Sequence, residues 1–482
     1  MKCARAWMNV GLTLNNGETI LINGNACTNT SCFVEVLQIE PWDVNAWYSL
    51  ACSLENEPAP LVADAAMQEE VEKAQHTGDE EEATSHLINV NGTFVSSRDC
   101  ILEALRLNPT FYSAWARLAA SMAAGEVLDV NGTACSKLAC CVEALLVNSQ
   151  YIPAWYTLGA SMHAGDVVGI NGTYFTQREC FVQVLRLAPT HHLAWHHLGF
   201  VLGPHDVVVL HDGQSHGKIE CYVRAIELNA AYYQKWFHLA LALQPCTITA
   251  ATVAPLAQST PSHASTDVSR APPTATTTVA VLGTERTQKA CFLETCRLQP
   301  NHAEAWMALA QLLLPQDATT VTTPNGTLLT ITQQQCHVQV LRMRPCHGLV
   351  WCHLGQSFPT SAKSNEGGVA LNDFVRVNKA DYSQKDCFIE AVRYTPSLDH
   401  AWFGLASLMT PEESIFVERG DNVREAPSMT AKDCYNMALQ LNPENAQAWY
   451  NIAALMAKSE AVYINGKRYI QKACYKEACR LQ

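Results

Sequence analysis

Cysteine gives this chain its widest choice of chemistry, because a thiol can bridge to another thiol, bind a metal or act as a nucleophile. The chain has 20 cysteines, and half of them occupy one place in a repeated pattern, which favours small buried core residues. No pair is spaced C-x-x-C, and no cysteine and histidine set has zinc-site spacing. We therefore expect no metal, no cofactor and a reducing compartment. The disulfides that stay open as alternatives are Cys27 with Cys32 and Cys135 with Cys140.

Histidine is the second candidate, since four histidines surround one tryptophan, Trp195: His191, His192, His196 and His197. His192 and His196 are four residues apart and share a helix face, a spacing that metals use. No carboxylate or cysteine is fixed beside them, so surface histidines are favoured over a metal site. The sequence also lacks a nucleophile elbow, a phosphate loop, a dinucleotide fingerprint and a metalloprotease helix. We predict that the chain is not an enzyme.

Asparagine offers a third chemistry, because five positions have the acceptor pattern for N-linked glycans: Asn29, Asn91, Asn131, Asn171 and Asn325. In four of them the pattern is Asn-Gly-Thr, and Asn-Gly is the strongest short signal for a β-hairpin turn. Asn23-Gly24 and Asn465-Gly466 have the same turn signal without a sequon. Turn formation is therefore favoured over glycosylation.

The spacing of tryptophan and cysteine indicates which structural elements position these side chains. Nine tryptophans each follow a cysteine by 15 residues, and in the plainest units the next cysteine follows 25 residues later. A fixed period of 40 residues indicates a solenoid of stacked units, and Trp and Cys at helical spacing indicate a core. The predicted core residues are Trp47, Trp115, Trp155, Trp195, Trp236, Trp306, Trp351, Trp402, Trp449, Cys100, Cys140 and Cys180.

Each unit reads as helix, small hairpin, helix. In residues 154–166 one apolar face is spaced for a helix, which Gly165 can end. Residues 167–176 flank Asn171-Gly172 with β-prone residues, and residues 176–179 form a capping box for the second helix. We expect the hairpins to stack along one edge and to pair with one another, since isolated two-stranded hairpins are marginal.

The helix pairs resemble the tetratricopeptide repeat (TPR) family. The matching segments are residues 444–456, residues 154–162 with a Leu-Gly pair, and residues 100–109, which end a helix in Pro. The step from Pro109 to Trp115 is six residues, as in that family. The resemblance implies a mainly α fold, an α-solenoid of about ten helix pairs with a concave partner-binding groove. The hairpin makes the unit 40 residues long instead of 34.

Two long intervals divide the array. Residues 55–86 form an acidic insert, which we predict to be an exposed loop. Residues 245–284 are rich in Thr, Ala and Pro, and we predict a disordered insert or linker there. The predicted domains are therefore repeats at 1–244, the linker at 245–284, and repeats at 285–482 whose last unit is incomplete. Either the units at the two ends are degenerate caps or the array is part of a longer one.

Composition narrows the function. The formal net charge is −13 and the pI is near 5.7, which disfavours a nucleic-acid binder. No run approaches 18 apolar residues, so no membrane span is expected. The first residues lack the apolar region of a secretory signal. We predict a cytoplasmic protein.

In the TPR family the groove would lie one position after each tryptophan. That row is aromatic and apolar, without Lys or Arg. The predicted groove residues are Tyr48, Tyr156, His196, Phe237, Met307, Phe403 and Tyr450. Family members that clamp a C-terminal carboxylate use Lys in this region, so we expect an apolar or aromatic peptide segment or another solenoid as partner instead.

These observations predict a non-enzymatic scaffold or adaptor that holds partner proteins in its concave surface. Two other interpretations stay open: the substrate-recruiting repeat arm of a larger enzyme, and an extracellular, glycosylated repeat protein. Neither the partner nor the oligomeric state follows from the sequence.

Overall fold

The computed structural model describes residues 3–15, 17–55, 87–210, 213–243, 278–314, 317–322, 328–358, 374–417 and 428–481. Within these residues the chain forms ten units, and each unit consists of a first helix, a two-stranded hairpin and a second helix. The units divide equally between two compact bodies, Met1–Leu228 and Asn229–Gln482. The predicted fold class is confirmed: the protein is a mainly α, TPR-like solenoid of helix pairs with small hairpins.

The first helices have nine to eleven residues. They are α1 (Ala4–Thr13), α3 (Val44–Leu54), α5 (Tyr112–Ser121), α7 (Ile152–Ser161), α9 (His192–Val201), α11 (Tyr233–Ala242), α13 (Ala303–Leu312), α15 (Gly348–Gln356), α17 (Asp399–Leu408) and α19 (Ala446–Leu455).

The second helices begin directly after the hairpins. They are α2 (Asn29–Ile39), α4 (Ser97–Leu107), α6 (Lys137–Val147), α8 (Gln177–Leu187), α10 (Lys218–Leu228), α12 (Gln288–Leu298), α14 (Gln333–Met343), α16 (Gln384–Tyr394), α18 (Ala431–Leu441) and α20 (Gln471–Leu481). The last helix pair in the described residues is α19 with α20.

The hairpins are antiparallel pairs. Their strands are β1 (Ile20–Ile22) with β2 (Asn25–Cys27), β3 (Ile88–Val90) with β4 (Thr93–Val95), β5 (Val127–Val130) with β6 (Thr133–Ser136), β7 (Val167–Ile170) with β8 (Thr173–Thr176), β9 (Val207–Val209) with β10 (Ser215–Gly217), β11 (Thr278–Val281) with β12 (Thr284–Thr287), β13 (Ala318–Thr322) with β14 (Leu328–Thr332), β15 (Phe374–Val377) with β16 (Ala380–Ser383), β17 (Ser414–Phe416) with β18 (Ser428–Thr430), and β19 (Ala461–Ile464) with β20 (Lys467–Ile470).

Two predicted segments lie mainly outside the described residues. Of the acidic insert 55–86, the structure describes only Glu55. Of the linker 245–284, it describes only the last residues, where Thr278–Val281 forms β11. The hairpin therefore takes up the end of the predicted linker. The Asn325-Gly326 turn also lies outside the described residues.

Capping side chains start the second helices. The predicted capping box at Thr176 is confirmed: its hydroxyl accepts from the Glu179 amide, and the Glu179 carboxylate accepts from the Thr176 amide. The boxes at Ser96, Ser383 and Thr430 have the same geometry. Each box satisfies amides that have no partner within the helix.

The first helices end earlier than their sequence predicts. Helix α7 ends at Ser161, and Met162 is extended and buried. Gly165 has a φ of 97°, but it belongs to the turn that leads into β7. The side-chain amide of Gln177 donates to the carbonyl oxygen of Met162 (2.9 Å) and so satisfies a carbonyl at the end of the helix. Gly165 therefore does not end the helix, because burial of Met162 and the cap from Gln177 end it first.

The indole of each repeat tryptophan joins consecutive units. Its Nε1–H donates to the carbonyl oxygen six residues earlier, which lies two residues beyond the preceding second helix. In all nine cases the distance is 2.7–2.9 Å, for example from Trp115 to Pro109 and from Trp402 to Pro396. This bond explains the six-residue step between Pro and Trp.

The hairpins do not pair with one another among the described residues, where each forms a separate two-stranded sheet. The prediction of paired hairpins is therefore wrong. A hairpin packs instead on the tryptophan of its own unit, as Phe175 does on Trp155 (ring centroids 4.7 Å apart). It also buries the inner residue of its first strand, such as Ile170. The core supplies the support that a neighbouring hairpin would otherwise provide.

Candidate functional site

The repeat core is built as the spacing implies. The nine repeat tryptophans range from fully buried, at Trp402, to 8% exposed, at Trp47, and Cys100, Cys140 and Cys180 are fully buried. The thiol of Cys180 lies 3.8 Å from the sulfur of Met162. Burial raises the pKa of Cys180 to about 12, so the thiolate is scarce at neutral pH and the thiol is unreactive.

No disulfide is formed by the four cysteines that the sequence analysis considered for bridges. These are Cys27, Cys32, Cys135 and Cys140. Burial is the main cause that raises the pKa of Cys135, and the same cause raises that of Cys140 to about 12. Both positions therefore have the chemistry of small apolar core residues.

The predicted groove residues lie on seven of the first helices, but they are not equally accessible. Tyr450 is half exposed (50%). The half-buried members are Tyr48, Tyr156, Phe237, Met307 and Phe403. His196, by contrast, is only 3% exposed, and its ring lies 5.7 Å from that of Tyr222. The structure therefore places His196 in the core, so this member cannot line a groove.

An aromatic residue of the next unit covers one side of several groove rings. The covering residue stands directly before the next first helix. Tyr48 contacts Phe111 (5.0 Å between ring centroids), Tyr156 contacts His191 (5.1 Å), and Phe237 contacts His302 (4.7 Å). We call Tyr48, Tyr156, Phe237, Met307, Phe403 and Tyr450 the first-helix row. Contacts with the next unit therefore help to orient the rings of Tyr48, Tyr156 and Phe237.

A second aromatic row lies beneath the first-helix row. Its members follow eight of the ten repeat cysteines by one residue, and some pack on the first-helix row, as Phe181 does on Tyr156 (6.2 Å) and Tyr435 on Phe403 (5.8 Å). Its members are Phe33, Phe181, Tyr222, Phe292, His337, Phe388, Tyr435 and Tyr475. Sequence reasoning missed this row, although its 40-residue recurrence was a visible signal.

Glycines in the first helices leave space for the rings of the second aromatic row. A Cβ on Gly159 would lie 3.1 Å from the Phe181 ring, and a Cβ on Gly355 would lie 3.0 Å from the Phe388 ring. The Leu-Gly pair of the first helix is therefore the space into which the aromatic side chain of a second helix fits. This explains a motif that the sequence shows only as a resemblance.

The charge that lies next to Tyr48 is paired. Arg117 lies over the Tyr48 ring (5.9 Å) and forms an ion pair with Glu55 (2.6 Å). Burial raises the pKa of Tyr48 to about 12, and burial lowers the pKa of His191, His197 and His302. These rings are therefore neutral at pH 7, and the row offers aromatic faces and edges to a ligand.

Neither a metal-binding cluster nor a membrane-spanning helix is found in the part of the chain that the structure describes. No group of three or more His, Cys, Asp or Glu side chains there could hold a metal ion, and His192 and His196 belong to no such group. None of the described helices is both long and apolar enough to cross a bilayer.

The fold defines a class of protein, a TPR-like helix-pair solenoid. Comparison with known proteins adds little to it. No protein-family model matches the chain, and no curated protein matches it. Among solved structures, the crystal structure of yeast Tom70 aligns with 89% of this chain and 77% of its own, at 12% identity and a TM-score of 0.27. A similarity of that size carries no argument about function.

Proposed function

We propose that this protein is a non-enzymatic scaffold that binds a segment of a partner protein along the first-helix row. The observation that carries the proposal is that three rings of the row, those of Tyr48, Tyr156 and Phe237, are half-buried and contact an aromatic residue of the next unit. Aromatic rings give much contact area with few rotatable bonds. Rings that are already oriented lose little further freedom on binding. In this interpretation the row lies on the concave side of each body.

The chemistry of the row indicates the class of partner. It is aromatic and apolar, and its nearest guanidinium, that of Arg117, already pairs with Glu55. An acidic tail would have to compete with Glu55 for that guanidinium, whereas an apolar or aromatic segment would replace water on the rings. We therefore propose such a segment, from a peptide or another solenoid, as the ligand. A cytoplasmic location and the domain limits of the sequence analysis belong to the same proposal.

Two matched pairs of variants test this proposal. Tyr156→Ala and Phe403→Ala each remove a ring of the first-helix row. Tyr174→Ala and Phe416→Ala remove the same ring types from hairpins of the same two units, where the side chains are 75% and 66% exposed. Each variant would be captured from cells at native expression after cross-linking, and cross-linked peptides would be identified by mass spectrometry.

We expect a stoichiometric partner whose cross-links fall on the first helices, and whose yield drops with Tyr156→Ala or Phe403→Ala but not with the hairpin variants. Loss of capture in the hairpin variants alone would move the binding surface to the hairpins and contradict the proposal. Capture of a catalytic chain as the stoichiometric partner would favour the substrate-recruiting alternative. Carbohydrate on Asn91 or Asn131 would favour the extracellular one.

A further inference from the structure

The hairpin asparagines differ in how their side chains are held. Asn91 Nδ2 donates to the carbonyl of Leu37 (3.0 Å), and Asn131 Nδ2 donates to that of Leu105 (3.1 Å). Both acceptors are in the second helix of the preceding unit. Asn465 makes a longer bond of this kind, 3.4 Å to Gln440. No hydrogen bond of Asn23 or Asn171 Nδ2 is found among the described residues.

The hairpins also differ in the hydrogen bond made by the amide of the glycine that follows the asparagine. The amide of Gly92 donates to the side-chain oxygen of Asn89 (2.9 Å), and that of Gly132 donates to the Asp129 carboxylate (2.7 Å). The acceptor stands two residues before the asparagine. In the fourth unit that position is Gly169, which has no side chain. In the described structure the Gly172 amide therefore makes no such bond.

These differences matter because an Asn-Gly pair can react with itself. The glycine nitrogen, after losing its proton, attacks Cγ of the asparagine. A bond forms between that nitrogen and Cγ, and the bond from Cγ to Nδ2 breaks, so that Nδ2 leaves as ammonia with the proton returned. Water then opens the succinimide to aspartate or isoaspartate. Glycine favours the attack, since no Cβ blocks the approach.

We propose that Asn171, together with Asn23, is a site of spontaneous deamidation, whereas Asn91 and Asn131 are protected by their two hydrogen bonds. Both bonds must break before the glycine nitrogen can reach Cγ. The Asp129 carboxylate also opposes loss of the proton from the Gly132 amide, because it would face the negative charge that forms. Asn171 and Asn23 lie exposed at positive φ, 48° and 53°, and lack both restraints.

The test follows the folded full-length chain at mildly alkaline pH and 37 °C by peptide mapping, with the one-dalton gain and the isoaspartyl product as readouts. We expect Asn171 and Asn23 to deamidate at least roughly fivefold faster than Asn91 and Asn131. This ratio corresponds to the net free energy of the two hydrogen bonds that must break first at Asn91 and Asn131. Asn465 should convert at an intermediate rate. In urea the five rates should converge, because every site is an Asn-Gly pair.

Two substitutions, each two residues before the asparagine, test whether the hydrogen bond of the glycine amide sets the deamidation rate. Gly169→Asp supplies the missing acceptor and should slow Asn171, and a Cβ there meets only the Tyr174 ring at an ordinary 3.4 Å. Asp129→Ala removes the acceptor in the third unit and should speed Asn131. Equal rates at Asn171 and Asn131 in the folded chain, rates that still differ in urea, or no response to either exchange would overturn the proposal.

Discussion

The junction between units and the inserted hairpin differ in how strictly their chemistry is fixed. At the junction, nine indoles donate to the same main-chain position at 2.7–2.9 Å. In the hairpins, Leu282-Gly283 and Asn378-Lys379 make the same kind of turn as Asn171-Gly172. A buried junction must fill its volume and satisfy a carbonyl with one side chain. An exposed turn needs only two residues at positive φ, so its sequence varies.

The largest effect should come from breaking a junction. Trp402 is fully buried, and its indole donates to Pro396, so Trp402→Ala leaves a cavity and an unsatisfied carbonyl. We expect a loss of about 3–5 kcal/mol in the free energy of unfolding of its body, measured by urea denaturation with circular dichroism. Trp42→Ala is the control, since Trp42 lies outside the repeat and is 67% exposed. Equal urea midpoints for the two variants would refute the role assigned to the junction.

A buried histidine makes one unit sensitive to pH. His337 occupies the place of Phe181 and Phe292, and burial lowers its pKa from 6.5 to about 3. The unfolded chain binds the proton more readily, so stability is complete above pH 6.5 and falls as the pH drops toward 3. Between pH 6.5 and pH 5 the loss should be about 2 kcal/mol.

His337→Phe should remove that part of the pH dependence. The measurement is the free energy of unfolding of both proteins at the two pH values. If the variant lost as much stability as the parent chain between pH 6.5 and pH 5, the dependence would come from other groups.

A strained turn offers a smaller gain. Leu282 has a φ of 51° and is 51% exposed, and a left-handed conformation costs an L-residue about 1–2 kcal/mol. Leu282→Asn should therefore raise the free energy of unfolding by about 1 kcal/mol, as measured by urea denaturation. Leu21→Asn is the control, because Leu21 is an exposed hairpin leucine outside the turn. A gain in the control variant alone would show that turn strain is not the cause.

The smallest effect isolates the bond between a hairpin and the preceding helix. Asn131→Ala loses the turn preference of asparagine and the bond to Leu105, whereas Asn171→Ala loses the turn preference alone. The first variant should be less stable by about 1 kcal/mol more than the second, as measured by urea midpoints. Equal losses would mean that this hydrogen bond adds nothing to stability.

The predictable part of the fold is the part that repeats. The spacing of Trp and Cys predicts helix pairs because a 40-residue period leaves few ways to bury the same residues ten times. The ends of the helices were not predictable in the same way, since Gln177 caps α7 only after the two helices have packed. The turn at Leu282 carries a weaker local signal than Asn-Gly, because Gly283 suits positive φ but leucine does not.

The candidate surface was less predictable than the core. One position after the tryptophan is half-buried at Tyr156 but buried at His196. The two side chains also contact different rings, Tyr156 that of Phe181 and His196 that of Tyr222. The members of the second aromatic row can be read from the sequence. The side chains that they contact can be seen only in the folded structure.

Neighbouring positions on one helix provide the most direct test of the account. Trp155 joins two units through its indole hydrogen bond, and in our proposal Tyr156 presents its ring to the partner. The measurement is the yield of cross-linked partner captured by the Tyr156→Ala chain, at a temperature where circular dichroism shows its full helical signal. The account predicts that capture falls while the helical signal and capture by Tyr174→Ala are unchanged. Undiminished capture by the Tyr156→Ala chain would contradict it.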